Sequence, residues 1–356
     1  MKQNITTREF GRLPDGRAAD LFSLDNGNGI RLSITNYGGI ITSVTMPDRN
    51  GDIGEITLAY DTLEPYLARH PYFGAMIGRV ANRISNGGFT IDGTRYDLST
   101  NTGALQLHGG FSGFDRKLFT AESFRSGDVL GVRLETTSSD GEEGYPGNLK
   151  VIIVVSLDGS GVLRFDYEAQ TDRPTPVNLT NHTYWNLAGT GKVLNHELVL
   201  HADRSVVTDE RSVPTGELRP VSNSFMDFRQ KKPIGRDFPE AAKMPCRGYD
   251  FCYCISGWDA RNRLQLLPVA EVYSPESGRS MTVRSNCPGV QLYTGNNLPG
   301  VRDRNGAILE GQEAFCLETQ HYPDSVNQPE FPSTILRPDD VYSQHTEYEL
   351  TVDSVR

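Results

Sequence analysis

The chain is divided into short segments with the two-residue alternation of β-strands, separated by turns rich in glycine and proline. Residues 30–34 alternate between apolar and polar side chains, as a half-buried strand does. The Asp-Gly pair at 92–93 and the Asp-Gly-Ser-Gly run at 158–161 carry the residues that hairpin turns prefer. The second turn predicts that residues 150–157 pair with residues 162–169.

Helical periodicity is scarce in this sequence. Only residues 62–68 and 239–243 could form a turn or two of helix, and 36 glycines and 20 prolines interrupt the rest. No fixed-period repeat is present, which disfavours a propeller, and no low-complexity linker divides the chain. We therefore predict an all-β sandwich or barrel that forms one domain over residues 1–356.

The net charge of the chain and its N-terminal residues indicate which binding partners and which cellular location to expect. A formal net charge of −10 argues against nucleic acid or an anionic membrane as a partner. No apolar run approaches the ~20 residues of a membrane span, and the first ten residues lack the apolar core of a signal peptide. We expect a cytoplasmic protein whose five cysteines are free thiols, because the cytosol is reducing.

Residues 177–187 hold one histidine among amides, hydroxyls and aromatic rings. As a single strand, this polar stretch would place five polar or aromatic side chains on one face: Asn178, Thr180, His182, Tyr184 and Asn186. Such a face suits a ligand covered in hydroxyl groups, such as a sugar. An ordinary solvated strand face would have the same composition, so the polar stretch alone leaves both interpretations open.

Glu318 follows three apolar residues, 315–317. In a strand it would share a face with Cys316 and Gln320, while Leu317 and Thr319 point the other way. We expect this carboxylate to be partly buried and its pKa to be shifted, which is typical of functional carboxylates. A solvated edge strand is the alternative, and the apolar run before Glu318 disfavours it.

A competing carboxylate pair, Glu142 and Glu143, lies in a loop flanked by glycines. A glycosidase needs two carboxyl groups that face each other across several Å, whereas neighbours in a tight loop usually point apart. We therefore predict a structured loop. The sequence also lacks the glycine patterns of dinucleotide and phosphate loops and any His-Glu-x-x-His helix. These observations predict side-chain acid–base chemistry without a cofactor or a metal.

Five further residues could bind a hydroxylated ligand. His108 precedes two glycines, which let backbone or ligand approach closely. Asn82 and Arg83 offer hydrogen-bond donors, and Asp250 and Gln291 could bind a polyol. Each of these is weak evidence by itself, because turns and caps use the same residue types.

Taken together, several segments resemble the aldose 1-epimerase (galactose mutarotase) family, in the family's order. These segments are residues 71–74, 78–84, 107–110, 140–147, 176–187, 213–217, 288–296 and 315–327. The resemblance covers about residues 10–348. It implies a large antiparallel β-supersandwich, galactose mutarotase-like, with a sugar cleft on one sheet.

The resemblance also implies roles for individual residues. Glu318 would be the general base and His182 the general acid, although spacing alone does not bring them together. Five residues would surround the sugar: Asn82, Arg83, His108, Asp250 and Gln291. One position departs from the family, since Phe251 stands where a histidine usually follows the binding aspartate. This difference bears on local packing and on sugar preference.

The implied activity is that of an isomerase that interconverts the α and β anomers of hexoses such as galactose and glucose. The base removes the proton of the C1 hydroxyl, the acid protonates the ring oxygen, and no cofactor is required. We expect Glu318 and His182 to favour each other's charged forms. On that basis Glu318 would set the acid limb of the pH–rate profile and His182 the alkaline limb.

Two alternatives stay open at this stage. One is a sugar-binding β-sandwich without catalysis, and the other is an epimerase of a sugar phosphate, which would want a basic cluster in the cleft. An acid and a base together favour the enzyme, because a lectin needs neither. The sequence does not distinguish a monomer from a homodimer, or galactose, glucose or a pentose as the preferred monosaccharide.

Overall fold

The computed structural model describes residues 2–68 and 70–353. The first strands of the chain are β1 (Asn4–Arg12), β2 (Ala18–Asp25), β3 (Arg31–Thr35), β4 (Ile41–Pro47), β5 (Ile53–Glu55), β6 (Thr57–Leu58), β7 (Met76–Ile77), β8 (Arg83–Ile84), β9 (Gly88–Ile91), β10 (Thr94–Asp97) and β11 (Gln106–Leu107). Next come β12 (Thr120–Ser126), β13 (Val129–Ser138), β14 (Leu149–Leu157), β15 (Val162–Thr171), β16 (Thr175–Pro176), β17 (Thr180–Asn181), β18 (Tyr184–Trp185), β19 (Glu197–Leu200) and β20 (Ala202–Thr208). The last are β21 (Pro214–Pro220), β22 (Lys232–Pro233), β23 (Asp250–Ile255), β24 (Leu267–Tyr273), β25 (Arg279–Ser285), β26 (Gly289–Tyr293), β27 (Cys316–Gln320), β28 (Ile335–Leu336) and β29 (Tyr342–Val352).

Three large antiparallel sheets make up the architecture. The largest has the strand order β12-β13-β14-β15-β29-β25-β24-β19-β22. A second sheet, β1-β2-β3-β4-β5, comes from the N-terminal region. The third has the order β21-β20-β23-β26-β27 and is called the site sheet below. The all-β prediction and the antiparallel supersandwich are confirmed.

The local predictions from turn chemistry also hold. Residues 92–93 connect β9 to β10, and β14 pairs antiparallel with β15 around residues 158–161. Each of the two expected helical segments is one short turn, α1 (Glu64–Leu67) and α2 (Phe238–Ala241). Short 3-10 turns occur at Phe114–Arg116, Glu142–Gly144, Val193–Asn195, Ile234–Asp237 and Ser325–Asn327. No helix within the described ranges is long and apolar enough to cross a membrane.

The main apolar core joins all three large sheets. Leu32 from the N-terminal sheet, Ile153 from the nine-stranded sheet and Leu317 from the site sheet belong to one buried cluster. Complete burial of such a side chain is worth about 1.5–3 kcal/mol. A hydrogen bond also links the nine-stranded sheet to the site sheet, in which the Tyr348 hydroxyl donates to the Leu317 carbonyl at 3.0 Å. The site sheet is therefore fixed from behind by the nine-stranded sheet.

The alternation of the site sheet separates a core face from a cleft face. Leu317 of β27 pairs with Leu292 of β26, and both side chains are in the core. The neighbouring pair, Glu318 opposite Gln291, faces the other way. The cleft face carries three cross-strand rows, which are Asp250–Tyr293–Cys316, Cys252–Gln291–Glu318 and Cys254–Gly289–Gln320.

The loop with Glu142 and Glu143 is a structural element, as predicted. Glu143 accepts hydrogen bonds from the amides of Phe111 and Ser112 at 3.1 and 2.8 Å. Glu142 forms an ion pair with Lys117 at 2.5 Å. Because each carboxylate is engaged with a different partner, they do not form a facing glycosidase pair.

The buried guanidinium of Arg79 holds this same region in place. Its nitrogens donate to the Ser138 hydroxyl at 2.7 Å, the Pro146 carbonyl at 2.9 Å and the Gly147 carbonyl at 2.8 Å. A guanidinium group has five N–H donors in fixed positions, so it can bind several carbonyl groups at once. Arg79 thus braces the segment that carries Asn82 and Arg83.

Candidate active site

The structure brings most of the predicted site residues into one cavity of about 340 Å³. Ligand pockets typically range over ~300–1,000 Å³. Six of the seven predicted residues line it: Asn82, Arg83, His108, His182, Asp250 and Glu318. Gln291 does not line the cavity but lies directly behind it, bonded to Asp250.

The prediction that the polar stretch forms one continuous strand face is wrong. The chain there makes two short strands, with β17 paired to β7 and β18 paired to β6, and His182 lies between them. The Asn178 side-chain amide donates to the carbonyl of residue 321, just after β27, at 3.3 Å. The Thr180 hydroxyl donates to the carbonyl of residue 319 in β27 at 2.9 Å. The stretch is buried on both sides, so its polar side chains form hydrogen bonds with polar groups of the neighbouring backbone. Only His182 and Tyr184 reach the cavity.

Glu318 is almost completely buried, with 2% of its surface exposed. Its Oε2 has no hydrogen-bond partner among the described residues. Burial raises the pKa of Glu318 well above its usual value, and the negative charge of Asp250 adds to this, while Arg83 acts in the opposite direction. The expected burial and pKa shift of this carboxylate are confirmed.

His182 lies beside the carboxylate, with its Nε2 3.7 Å from Glu318 Oε1. The imidazole stacks on the rings of Tyr184 and Tyr72, at centroid distances of 5.0 and 5.9 Å. Burial lowers the pKa of His182 to about 4. The expectation that the two groups favour each other's charged forms is therefore wrong in this environment. Desolvation is the largest cause of both pKa shifts, so the uncharged acid and the uncharged imidazole are favoured.

His108 is held in a single orientation by the backbone of Asn82. The backbone N–H of Asn82 donates to the ring Nδ1 of His108 at 3.2 Å, and the backbone N–H of His108 donates to the Asn82 carbonyl at 2.9 Å. Burial keeps the pKa of His108 well below its usual value, so the ring is neutral. Because Nδ1 accepts, the hydrogen of the neutral ring is on Nε2. His108 therefore offers a donor to the cavity.

Backbone strain marks the same segment. Asn82 and His108 have φ values of 62° and 52°, in the left-handed region that non-glycine residues avoid. Such residues cost on the order of 1–3 kcal/mol and tend to cluster at functional sites. The glycine after His108 is needed for close backbone approach, since a Cβ on Gly109 would lie 1.9 Å from the Gly78 carbonyl oxygen.

Asp250 is positioned by two partners. The Gln291 side-chain amide donates to Asp250 Oδ1 at 2.6 Å. The Arg83 guanidinium lies 3.9 Å from Asp250 Oδ2. Gln291 Oε1 has no hydrogen-bond partner among the described residues. The three side chains thus form a polar wall of fixed donors and acceptors.

Phe251, the departure from the family pattern, lies on the core face of β23. It is 6% exposed and packs against Phe225 at a centroid distance of 6.0 Å. Its neighbour Asp250 faces the cleft. The substitution therefore changes the packing behind the site rather than the cavity lining.

The ligand atoms of His108, His182 and Glu318 all lie within 4.8 Å of one another, a spacing that could hold a metal ion. The His108 tautomer does not fit that role. Its Nδ1 lone pair is taken by the Asn82 amide, and its Nε2 carries hydrogen instead of a free lone pair. A metal-free site stays our prediction.

Several cavity residues were not predicted from the sequence. Tyr293 could have been found by alternation, because it shares the cleft face of β26 with Gln291. His70 and Tyr72 come from the loop after α1, and Asn297 and Val301 come from the loop after β26. Loop residues carry no periodic signal, so nothing in the pattern identified them.

Comparisons with known proteins agree on one family. The sequence profile of the aldose 1-epimerase family matches residues 20–349. The galactose mutarotases of Bos taurus and Homo sapiens are 41% and 40% identical to this chain over 353 residues, covering 98% of this chain and 99% of theirs. The crystal structure of galactose 1-epimerase from Lactobacillus acidophilus NCFM superposes with a TM-score of 0.86 at 23% identity, covering 99% of both chains, which shows a shared fold.

Proposed function

The chain belongs to the aldose 1-epimerase family, and we propose that His182 and Glu318 carry out its reaction, the interconversion of the α and β anomers of an aldohexose such as galactose or glucose. The chain is accordingly an isomerase. The observation that carries the residue assignment is the 3.7 Å separation of His182 Nε2 and Glu318 Oε1 inside a polar cavity.

The chemistry follows from one proton shared by the pair. Glu318 as carboxylate accepts the proton of the C1 hydroxyl, while His182 as imidazolium donates its Nε2 proton to the ring oxygen. The C1–O5 bond breaks, rotation about C1–C2 exposes the other face, and the reverse transfers close the ring. After opening, the pair is a carboxylic acid and a neutral imidazole. Burial favours these uncharged forms, so the cleft stabilises the protonation state of the open-chain intermediate.

The polar wall supports sugar recognition. Asp250 accepts hydrogen bonds from hydroxyl groups, while Arg83 donates to oxygens of the sugar. His108 adds the donor on Nε2 that the Asn82 amide enforces. Gln291 holds Asp250 from behind. Because these partners are fixed before the sugar arrives, little of the binding free energy is lost in ordering them.

Two alternative functions have less support. A lectin needs hydroxyl partners but no buried acid next to a histidine with a lowered pKa. A sugar-phosphate epimerase would need free cations in the cleft. Of the described residues that line the cavity, Arg83 is the one with a permanent positive charge, and it already faces the carboxylate of Asp250.

The remaining features of the proposal concern the whole protein. We propose a single cytoplasmic domain, as monomer or homodimer, that acts on a free monosaccharide without nucleic acid, membrane or cofactor. Its five free thiols suit a reducing compartment. One buried cluster that joins the three large sheets suits a single domain.

Polarimetry of freshly dissolved α-galactose and α-glucose tests the proposal. The protein should accelerate the approach to anomeric equilibrium with at least one of these sugars. Calorimetric binding on the same preparation separates the alternatives. Binding without acceleration would decide for the lectin, and acceleration of galactose 6-phosphate alone would decide for the sugar-phosphate enzyme.

A further inference from the structure

One strand, β27, contacts both ring nitrogens of His182. Cys316 and Glu318 are two residues apart on the same face of this strand. Cys316 Sγ lies 3.5 Å from His182 Nδ1, and Glu318 Oε1 lies 3.7 Å from Nε2. The imidazole therefore spans from the thiol to the carboxylate.

The proposed reaction places a demand on Nδ1. When Nε2 of the imidazolium has given its proton to the sugar, the one remaining hydrogen must stay on Nδ1. A neutral ring with its hydrogen on Nε2 could not take the proton back when the sugar ring closes. The tautomer is set by the hydrogen bond that the other nitrogen makes. The question is which atom receives the Nδ1 hydrogen.

Two acceptors lie near Nδ1 in the described structure. One is the carbonyl of His182 itself, which also accepts the Gly74 N–H at 3.1 Å. The other is Cys316 Sγ, fully buried and fixed by the ladder of β27 with β26. A residue's own carbonyl cannot determine where its ring stands relative to Glu318. The sulphur can, because it belongs to the strand that carries Glu318.

We propose that Cys316 is a positioning residue whose sulphur accepts the Nδ1 hydrogen of His182 and so keeps Nε2 as the nitrogen that exchanges a proton with the sugar. The inference rests on the proposed function, in which His182 is the acid. Cys316 makes no bond to the sugar and changes no oxidation state.

Sulphur suits this position because it is a weak acceptor. A carboxylate at Nδ1 would hold the imidazolium proton and raise the basicity of the ring. Sulphur orients the ring and leaves its pKa low, near 4, so the imidazolium stays a strong acid. The thiol itself stays protonated, because burial and the nearby charges of Glu318 and Asp250 raise the pKa of Cys316 well above its usual value. No thiolate forms that would trap the imidazolium.

A purely structural role for Cys316 makes different predictions. Cysteine is among the most buried residue types and often acts as a small apolar side chain, and Cys316 belongs to a buried apolar cluster. In that role its replacement would change stability but not the turnover of the folded enzyme. Serine would then be worse than alanine, since it buries a hydroxyl.

Kinetics of two variants separate these roles. Cys316→Ala removes the acceptor and should lower kcat about tenfold, a part of the ~10²–10⁴-fold that a general acid supplies. KM should stay within about twofold, because the polar wall is untouched. Cys316→Ser restores an acceptor and should recover most of the lost kcat. The matched control is Cys287→Ala, a buried cysteine outside the cleft, which should keep the parental kcat. A parental kcat in Cys316→Ala, or equal losses in the alanine and serine variants, would overturn the proposal.

Nitrogen-15 NMR of histidine-labelled protein tests the same point without turnover. At neutral pH the His182 signals of the parent should report hydrogen on Nδ1 and a lone pair on Nε2. A parent ring with its hydrogen on Nε2 would also overturn the proposal, even if the variants fail to fold. Should the parent not accelerate mutarotation of any aldose, the proposed function fails separately, and the NMR result still decides where the hydrogen lies.

Discussion

Gln291 stands directly opposite Glu318 in the register of β26 and β27, yet its amide donates to Asp250. Glu318 Oε2 consequently has no hydrogen-bond partner among the described residues. A carboxylate with an unsatisfied oxygen in a buried site is poised to take a proton, because hydrogen bonds that would stabilise its charge are missing. Gln291 therefore orients Asp250, and Glu318 is left available for the acid–base role that we propose for it.

Glu318→Gln should abolish most turnover while leaving the fold and sugar binding intact. The amide keeps the shape of the side chain but cannot accept a proton at neutral pH. We expect kcat to fall by about a hundred- to ten-thousand-fold. Polarimetry and calorimetric sugar binding on one preparation measure both quantities. Glu142→Gln, in the structural loop, serves as the control and should keep parental kcat. A near-parental rate in Glu318→Gln would move the base elsewhere.

Asp250→Ala and Gln291→Ala should weaken sugar binding more than they slow turnover. A lost hydrogen bond is worth about 0.5–1.5 kcal/mol, or more for a charged partner. The two residues are bonded at 2.6 Å, so their effects should not add in the double variant. Calorimetry of the parent, both single variants and the double variant gives the coupling energy. Strict additivity, or unchanged affinity in both single variants, would contradict this account of the polar wall.

Phe251→His, which restores the residue usual in the family, should cost stability without changing sugar preference. The side chain lies in the core beside Phe225, so a buried imidazole without a partner should cost about 1–3 kcal/mol. Phe251→Leu is the apolar control and should cost about 1.5 kcal/mol or less. Denaturant unfolding measures both. A changed ratio of kcat/KM between galactose and glucose would show that the core face influences the cleft.

Stability should fall steeply as the pH drops below 6.5. Burial lowers the pKa of four histidines to about 4: His70, His182, His196 and His321. Burial also keeps the pKa of His108 well below its usual value. Below pH 6.5 these histidines are protonated in the unfolded chain but stay neutral in the folded chain. Each of them therefore lowers the free energy of unfolding progressively as the pH falls towards 4. At pH 5 the loss of stability is about 2 kcal/mol for each of the four histidines with a pKa of about 4. Glu318 and Asp115, with raised pKa values, act in the opposite direction but are fewer.

Thermal unfolding from pH 8 to 4 measures this dependence. His196→Gln, outside the cavity, should make the dependence of stability on pH less steep, because one buried histidine with a lowered pKa is removed. His201→Gln is the control, since His201 is partly exposed and pairs with Glu271. If His196→Gln and His201→Gln give the same slope as the parent, burial of His196 does not set the acid stability.

The fold was largely predictable because its signals are local. Turn chemistry at 158–161 fixed the pairing of β14 with β15 without tertiary information. The prediction that residues 177–187 share one strand face was wrong because alternation assumes one continuous strand. The chain instead crosses from β17 to β18, and Asn178 satisfies backbone groups around residue 321. Side chains that serve neighbouring backbone cannot be told from ligand-binding ones by composition.

Six of the residues that line the candidate cavity could be named from the sequence, but the electrostatics of the cavity could not. Family resemblance supplied the pairing of His182 with Glu318, which are distant in sequence. The sequence could not supply how deeply both are buried, since that depends on how Tyr72, Tyr184 and the site sheet close around them. Burial decides the sign of both pKa shifts here. This is why the expected charged pair was wrong.

These pKa directions reverse the assignment of the limbs in the pH–rate profile. In the proposed mechanism the active form of the pair His182 and Glu318 holds one proton. As the pH falls through about 4, His182 takes a second proton while Glu318 keeps its own, so no base remains and the rate falls. As the pH rises through the raised pKa of Glu318, the pair loses its only proton, so no acid remains and the rate falls again. Rates between these limits should form a broad plateau, and both apparent values belong to the pair.

Stopped polarimetric assays after brief exposure to each pH separate titration from unfolding, with recovery on return to pH 7 as the control. Cys316→Ser should leave both limbs nearly in place, since it does not change the burial of the pair. Asp250→Asn should move the alkaline limb to lower pH, because the charge of Asp250 helps to raise the pKa of Glu318. An alkaline limb that stays fixed in Asp250→Asn would mean that Glu318 does not set it, and His182 would then be the group to examine.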